Sequence, residues 1–267
     1  MNKYIIQYSL YGKNPRYYDA LKHNISFIED GYGELFEVWI VIGDDVPDSW
    51  INNLKNSKSK IISHNVKLLK NIPYDFFRIY PILVNKGLGF FCRDSDSFLS
   101  IDEMESMNRF IDSKHSFHIV RDHPNHLSPI MGGLFGIKSC KYGLVKDTIL
   151  NNLFKYKYAN QSWRDINTGV RGEQEIFADY VYPLVYKDAY IESNFAVFLN
   201  EKSIISKCLI PKMKNFFMGQ IDPKYNPVEN KDMVDYINGV RKLYLPYWLF
   251  KLFRYRYLYR LYWKLPK

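Results

Sequence analysis

Two carboxylates spaced two residues apart end an apolar stretch, GFFCRDSDSFLS (89–100), near the middle of the sequence. The apolar run predicts a buried strand, which Asp94 and Asp96 follow directly behind Arg93. Alternate side chains of an extended segment project to one side, so both carboxylates should face the same space. Two hard oxygen ligands suit Mn²⁺ or Mg²⁺ bridging a diphosphate. The alternative is a solvated turn that caps the next helix, with SIDE (100–103) as its capping box.

The elements that must position these carboxylates alternate between strand and helix patterns. The predicted order is strand (3–12), helix (14–33), strand (34–47), helix (48–57) and strand (60–69), then a helix (75–84) and the strand that carries the aspartates (87–94). Such alternation predicts an α/β domain with a mostly parallel sheet. Ligands of these sheets bind at the carboxyl ends of the strands, where Asp94 and Asp96 are expected.

Length and composition favour one large domain. The chain has 267 residues, of which 47% are hydrophobic. We predict a catalytic domain over 1–240 and a basic aromatic helix over 241–267 that lies on a membrane surface or packs on the domain. Neither a leader-like opening nor a charge-free apolar run of membrane-spanning length is evident, so a cytoplasmic protein is expected. The three cysteines are isolated, which argues against disulfides or a thiolate metal site.

Positive charge is concentrated at the end of the sequence. The net charge of the chain is +9. Eight Lys or Arg residues and no Asp or Glu lie between Val240 and the last residue. The last segment (245–267) interleaves Trp, Tyr, Phe and Leu with Lys and Arg, a composition suited to an anionic membrane surface. A helix packed on the domain or on a second subunit is the alternative. Nucleic acid is not an expected partner, because the domain itself carries little net charge.

Several motifs in a fixed order resemble a family of bacterial and viral glycosyltransferases of the GT-A type, from capsule and lipopolysaccharide biosynthesis clusters. The motifs are RDSDS, SIDE, HIVRDHPNH (118–126), IMGGLFGIK (130–138) and GEQEIFADYVYP (172–183), and the resemblance spans residues 4–220. Two residues depart from the family pattern. Phe98 stands where an arginine often follows the aspartates, and Glu173 stands where an aspartate is common.

The resemblance implies a nucleoside-diphosphate sugar as donor and a surface glycan or lipid-linked glycan as acceptor. It implies Mn²⁺ or Mg²⁺ as cofactor, with Asp96 as direct ligand and Asp94 in the water shell of the metal or on the ribose. A divalent ion would neutralise the charge that develops on the leaving diphosphate. Arg93 would contact phosphate or sugar or orient the aspartates, and a salt bridge inside the loop is the alternative.

Glu173 is the candidate general base, because it stands at a predicted helix start facing the donor. The alternative is that it complements the helix dipole.

Other candidate donor-binding residues follow from the same resemblance. Gly132 and Gly133 would let the backbone approach the donor sugar, although a bulge without function is also consistent with them. Asp122 and His123 are candidate partners of sugar hydroxyls, with Asp122 also a candidate catalytic residue, and Arg121 a candidate phosphate partner. Candidates for the nucleotide base site after the first strand are Ser9, Tyr11 and Gly12, with Tyr11 either stacking on the base or belonging to the core.

The histidines between His115 and His126 do not follow a known zinc-ligand spacing, so zinc is not expected.

The sequence therefore predicts a metal-dependent glycosyltransferase resting on the inner face of the membrane. The rivals are a nucleotidyl- or phosphotransferase on the same scaffold and a non-catalytic glycan-binding or scaffold protein.

Overall fold

A computed structural model of the chain describes residues 3–70, 72–121, 126, 128–153, 172–193, 196–201, 205–206 and 243–245. The first half contains β1 (Tyr4–Leu10), α1 (Pro15–Gly31), β2 (Phe36–Ile42), α2 (Asp48–Leu54), β3 (Lys60–Ser63), a 3-10 helix (Tyr74–Ile79) that continues into α3 (Tyr80–Val84), and β4 (Gly89–Arg93). The second half contains α4 (Ile101–Asp112), β5 (Phe117–Arg121), β6 (Leu134–Lys138), α5 (Tyr142–Leu153), α6 (Gly172–Ile176), a π-helical turn (Phe177–Val181), α7 (Tyr182–Val185), β7 (Ala189–Ser193), β8 (Ala196–Phe198), β9 (Ile205–Ser206) and β10 (Leu243–Leu245).

The strands form one large sheet in the order β3-β2-β1-β4-β6-β5-β7-β9. Neighbouring strands are parallel except at β6, which is antiparallel to both β4 and β5. This confirms the predicted α/β class with a mostly parallel sheet. β6 pairs with β4 in a register that sets Leu134 opposite Arg93, so the residues just before β6 lie beside those just after β4.

Apolar side chains of the central strands alternate between two core layers. Ile5 and Phe90 pack on the side of the 3-10 helix, α3, α5 and α6, whereas Ile6 and Phe91 pack on the side of α1 and α4. Burial of both faces explains why the central strands read as continuous apolar runs.

The helix starts that flank the sheet use side-chain caps. Asn14 accepts a hydrogen bond from the Arg16 amide at 3.1 Å and Pro15 occupies the first helical position of α1. Ser100 caps α4 by accepting from the Glu103 amide at 3.3 Å. The Ser100 half of the predicted SIDE capping box is thus present, whereas the Glu103 side chain pairs with Arg93.

The helix predicted for 241–267 falls mostly outside the described residues. Leu243–Leu245 lie within it and form a strand, β10, that pairs in parallel with β8. Within the predicted tail, Leu243–Leu245 are therefore extended rather than helical. Across the described ranges, no helix has both the length and the apolar character needed to cross a membrane.

Candidate functional site

The acidic loop, defined here as residues 93–99, lies at the carboxyl edge of the parallel strands. Asp94 is about half exposed, and its Oδ1 accepts a hydrogen bond from Arg78 Nη1 at 3.0 Å. Asp96 is mostly buried and lies 3.1 Å from Arg16 Nη2. Burial and the nearby charge of Asp94 raise the pKa of Asp96 to about 6, although Arg16 opposes this shift. The Asp94 carboxylate is therefore close enough to oppose ionisation of Asp96.

Arg78 lies at the centre of the site, and the sequence interpretation missed it. Its guanidinium contacts Asp94 on one side and lies 3.8 Å from Glu173 Oε1 on the other. Its Nε donates to the Asp75 carbonyl at 2.9 Å, which holds the guanidinium against the 3-10 helix. The available signal was a single cation inside the apolar window DFFRIYPILV (75–84), because a buried arginine must be paired.

Gly132 and Gly133 leave room for these charged side chains. A Cβ at Gly133 would lie 2.2 Å from Asp94 Oδ2, and one at Gly132 would lie 2.8 Å from Glu173 Oε1 and 2.9 Å from Arg78 Nη1. No larger residue fits unless these groups move. The paired glycines are thus explained by the packing of the site itself, and a contact with a donor sugar stays a prediction.

Glu173 lies in the first turn of α6 with its side chain 14% exposed. Burial raises its pKa to about 7, because Arg78 offsets only part of the desolvation, and Asp75 and Asp94 raise it further. A carboxylate with a pKa near neutrality can accept a proton at physiological pH. The structure thus brings Glu173 and Asp94 together around Arg78.

Arg93 does not reach the open side of the site. Its side chain is 1% exposed, and its Nε lies 2.6 Å from Glu103 Oε1. Its Nη1 donates to the Gly133 carbonyl at 3.0 Å and its Nη2 to the Ser97 hydroxyl at 3.2 Å. Of the roles predicted for Arg93, direct contact with the donor is therefore corrected. The side chain forms an ion pair beneath the loop, which is close to the salt-bridge alternative, although its partner Glu103 lies on α4.

Arg121 is also buried rather than available to a phosphate. Its side chain is fully buried, with Nη2 2.5 Å from Glu201 Oε1 and the guanidinium over the ring of Phe198. Tyr182 donates to the same carboxylate at 2.8 Å. The predicted phosphate contact of Arg121 is corrected, because a side chain without exposed surface cannot meet a donor. Asp122 and His123 lie outside the described residues.

Residues at the end of β1 and just after it border the site. Tyr11 packs against Tyr74 with ring centroids 5.8 Å apart, and its pKa is raised by burial and by nearby acids including Glu173. Gly12 has a φ of 81° and its amide donates to Asp45 Oδ1 at 2.8 Å, which turns the chain from β1 toward α1. The Ser9 carbonyl accepts from the Ser95 hydroxyl at 3.0 Å, tying β1 to the acidic loop. The nucleotide base site predicted at Ser9, Tyr11 and Gly12 stays a prediction.

The acidic loop offers a pair of carboxylates for a metal rather than a complete cage. Within the ranges that the structure describes, no group of three or more His, Cys, Asp or Glu side chains is arranged to hold a metal. The raised pKa of Asp96 shows that Arg16 does not fully compensate the pair. Two hard oxygen ligands with incomplete compensation fit Mg²⁺ or Mn²⁺, which leave positions to phosphate and water.

Comparisons with known proteins were made by sequence and by structure. No protein-family model matches the sequence, and a search of curated proteins gives no match. One solved structure that the chain resembles is a mannosyltransferase from Pyrobaculum calidifontis in complex with GDP-Man and Mn²⁺, at 12% identity, over 56% of this chain and 46% of that one, with a TM-score of 0.39.

Two further structures match to the same degree. S. aureus TarS 1–349 in complex with UDP-GlcNAc matches at 13% identity over 57% of this chain and 48% of that one, with a TM-score of 0.40. Glucosyl-3-phosphoglycerate synthase from Mycobacterium tuberculosis, in complex with Mn²⁺, UDP and glucosyl-3-phosphoglycerate, matches at 10% identity over 56% and 66%, with a TM-score of 0.40. The chain spans less than two thirds of each of these proteins. Similarities at this level assign neither family nor activity to it.

Proposed function

We propose that this chain is a GT-A type glycosyltransferase that moves a sugar from a nucleoside-diphosphate donor to a glycan acceptor with the help of Mn²⁺ or Mg²⁺. The observation that carries the proposal is the arrangement around Arg78, with Asp94 on one side and Glu173 on the other over Gly132 and Gly133. A pair of carboxylates at the strand ends suits the binding of an anionic donor through a cation. A nearby carboxyl with a pKa close to 7 suits proton transfer from a hydroxyl nucleophile.

Asp96 and Asp94 would hold the divalent cation. When bound, the ion supplies Lewis-acid neutralisation of the diphosphate as its bond to the sugar breaks. Arg78 orients the Asp94 carboxylate by donating a hydrogen bond to its Oδ1. Arg16 contributes a second positive charge on the α1 side of the pair.

Glu173 would take the proton from the acceptor hydroxyl. As that oxygen forms its bond to the anomeric carbon and the nucleoside diphosphate leaves, the hydroxyl proton passes to the Glu173 carboxylate. Burial tunes the carboxyl for this task by raising its pKa to about 7. The side chain is only 14% exposed, which limits competition from bulk water.

Capsule or lipopolysaccharide glycans are the proposed acceptors, and the last segment would hold the enzyme on the inner leaflet. Residues 246–267 contain six Lys or Arg interleaved with aromatic residues and no acid. Because Leu243–Leu245 pair with β8, a truncation that tests this segment should end after Leu245.

The truncated protein should keep its melting transition and stop co-sedimenting with anionic vesicles at low salt. The full chain should also bind vesicles less tightly as salt rises, because screening acts on exposed charges. Loss of the melting transition on truncation would mean that the segment is part of the folded body.

A donor screen with product analysis tests the activity itself. Nucleoside diphosphates and their sugars are added with Mn²⁺ or with EDTA, and the thermal midpoint is measured, since a ligand that binds the native state raises it. The proposal expects a Mn²⁺-dependent rise and release of free nucleoside diphosphate when an acceptor receives the sugar. Release of nucleoside monophosphate with sugar phosphate joined to the acceptor would identify a phosphotransferase, and release of sugar phosphate with the nucleotide joined to the acceptor would identify a nucleotidyltransferase. Glycan binding without any nucleotide effect would identify a non-catalytic binding protein.

A further inference from the structure

The acidic loop is tied to the protein body by one buried arginine. Arg93 pairs with Glu103 of α4, and both side chains are at most 3% exposed. The same guanidinium donates to the Gly133 carbonyl before β6 and to Ser97 within the loop. A single planar group with donors in a fixed fork thus joins β4, α4, the glycine pair and the loop.

A buried asparagine holds the other end of the loop. Asn24 of α1 is 0% exposed. Its Nδ2 donates to the Ser97 carbonyl at 2.8 Å, and its Oδ1 accepts from the Leu99 amide at 2.8 Å. Both ends of the amide are used on loop backbone, which requires a side chain with a donor and an acceptor on one plane.

Two serines on either side of Asp96 complete the attachment of the loop. Ser95 donates its hydroxyl proton to the Ser9 carbonyl at 3.0 Å, and Ser97 donates to the Asp94 carbonyl at 3.1 Å. The residues on both sides of Asp96 are therefore held by side-chain hydrogen bonds, from Ser95 to β1 and from Ser97 to the loop backbone. The Asp94 and Asp96 carboxylates lie instead against Arg78 and Arg16.

We propose that Arg93, Glu103 and Asn24 are positioning residues that hold Asp94 and Asp96 in the geometry needed for the cation and the nucleoside diphosphate. The proposal rests on the proposed function, because it assigns the carboxylates that role. A buried ion pair adds little net stability compared with apolar residues of similar size. The ion pair lies directly under the acidic loop, where it can hold the carboxylates in place. Metal ligands that are already held by such hydrogen bonds lose less conformational freedom when the metal binds.

The test replaces both members of the buried pair. Arg93→Met combined with Glu103→Leu removes the charges together, which avoids leaving one unpaired charge in the core. We expect the variant to melt cooperatively, and we expect amides of residues 93–99 to exchange with solvent faster. The Mn²⁺ concentration for half-maximal nucleoside-diphosphate binding should rise about 10–100-fold. Excess Mn²⁺ should restore that binding, which it would not do if the change were only a general loss of stability.

Asn24→Leu provides an independent second variant, since it removes both hydrogen bonds to the loop but leaves the ion pair intact. It should change loop exchange and Mn²⁺ requirement in the same direction. Arg109→Met is the matched control, because Arg109 lies on the same helix and pairs with buried Glu192 away from the loop. That control should lower the melting temperature without altering loop exchange or the Mn²⁺ requirement.

Two results would overturn the proposal. One is unchanged exchange of residues 93–99 in the double variant and in Asn24→Leu. The other is faster exchange with an unchanged Mn²⁺ requirement, which would mean that the attachments do not position the carboxylates. A parent chain that binds no nucleoside diphosphate would contradict the proposed function alone, since loop exchange and a titration with Mn²⁺ by itself would still decide the positioning role.

Discussion

Two carboxylates in this molecule have similar neighbours and opposite properties. Glu173 and Glu192 are both buried and both lie near an arginine, Arg78 and Arg109 respectively. Burial raises the pKa of Glu173 to about 7. Burial also opposes the charge of Glu192, but hydrogen bonds from His118 and the other groups around it lower its pKa to about 2.

The difference lies in how completely each carboxylate is hydrogen-bonded. Arg109 donates to Glu192 Oε1 from Nε at 3.0 Å and from Nη2 at 2.8 Å, and Ser106 donates to Oε2. Arg78 is 3.8 Å from Glu173 and gives its short hydrogen bond to Asp94 instead. A carboxylate with its oxygens satisfied holds helix α4 on the sheet. A carboxylate that shares its arginine remains able to take a proton.

The largest effect expected from this contrast is on turnover. Glu173→Gln keeps the shape and loses the proton acceptor, so turnover should fall about 10²–10⁴-fold with little change in donor affinity. Glu192→Gln is the matched control and should lower stability while leaving turnover within a few-fold. Steady-state kinetics measure the turnover of both variants. An equal loss of turnover in the two would contradict the distinction between the two carboxylates.

A pair of glycine substitutions sharpens the comparison at the next level. Gly133→Ala places a Cβ 2.2 Å from Asp94 Oδ2, which should displace the carboxylate and weaken Mn²⁺-dependent nucleotide binding about 10–100-fold. Gly143→Ala is the control, because that glycine lies in α5 with nothing within 4 Å of the added atom. It should be neutral or stabilise by up to about 1 kcal/mol. Calorimetric binding curves that are the same for both variants would contradict the account.

Turnover should depend on pH through Glu173. The folded-state pKa is raised, so the carboxyl is protonated and inactive below about 7. Turnover should therefore rise about tenfold per pH unit below 7 and level off above it. The same sign means that stability contributed by the protonated carboxyl is lost as pH rises through 7. A pH–rate profile that is flat between pH 5 and 8 would argue against Glu173 as the base.

Glu192 should affect acid stability and leave turnover unchanged. Its pKa is lowered from 4.5 to about 2, so its contribution is present above pH 4.5 and is lost as pH falls toward 2. That shift corresponds to roughly 3 kcal/mol of unfolding free energy. Denaturant unfolding at pH 6 and pH 3 should show about two thirds of this loss in the parent and a smaller one in Glu192→Gln. Equal losses would mean that other groups govern acid unfolding.

The sequence predicted the fold because its signals are local. Continuous apolar strands, Asn14-Pro15 and SIDE each determine their own segment, and together they yield the βαβαβ start and the position of Asp94 and Asp96 at a strand end. The site was predicted only where a motif marks it. Arg78 and Asn24 belong to no motif, and their roles depend on contacts between distant segments, 16 residues apart for Arg78–Asp94 and 73 for Asn24–Ser97.

The two arginine corrections have the same physical origin. An arginine at the end of a strand can point to solvent or under the sheet edge, and sequence alone does not distinguish these directions. Glu103 and Glu201 draw Arg93 and Arg121 into the interior. A partner acid ten residues away on the next helix was visible for Arg93, but Glu201 lies 80 residues from Arg121 and gave no signal.

Binding of a nucleoside diphosphate to the parent chain and to Asp96→Ala tests the central claim most directly. Titration calorimetry with Mn²⁺ and with EDTA would be run on both, alongside thermal melts that check the fold, since removing a carboxylate at the edge of the sheet should leave the core intact. The account predicts tight binding only for the parent with Mn²⁺ and a loss of at least about 10²-fold in Asp96→Ala. Unchanged affinity in a folded Asp96→Ala protein would contradict the assignment of this loop as the metal and donor site.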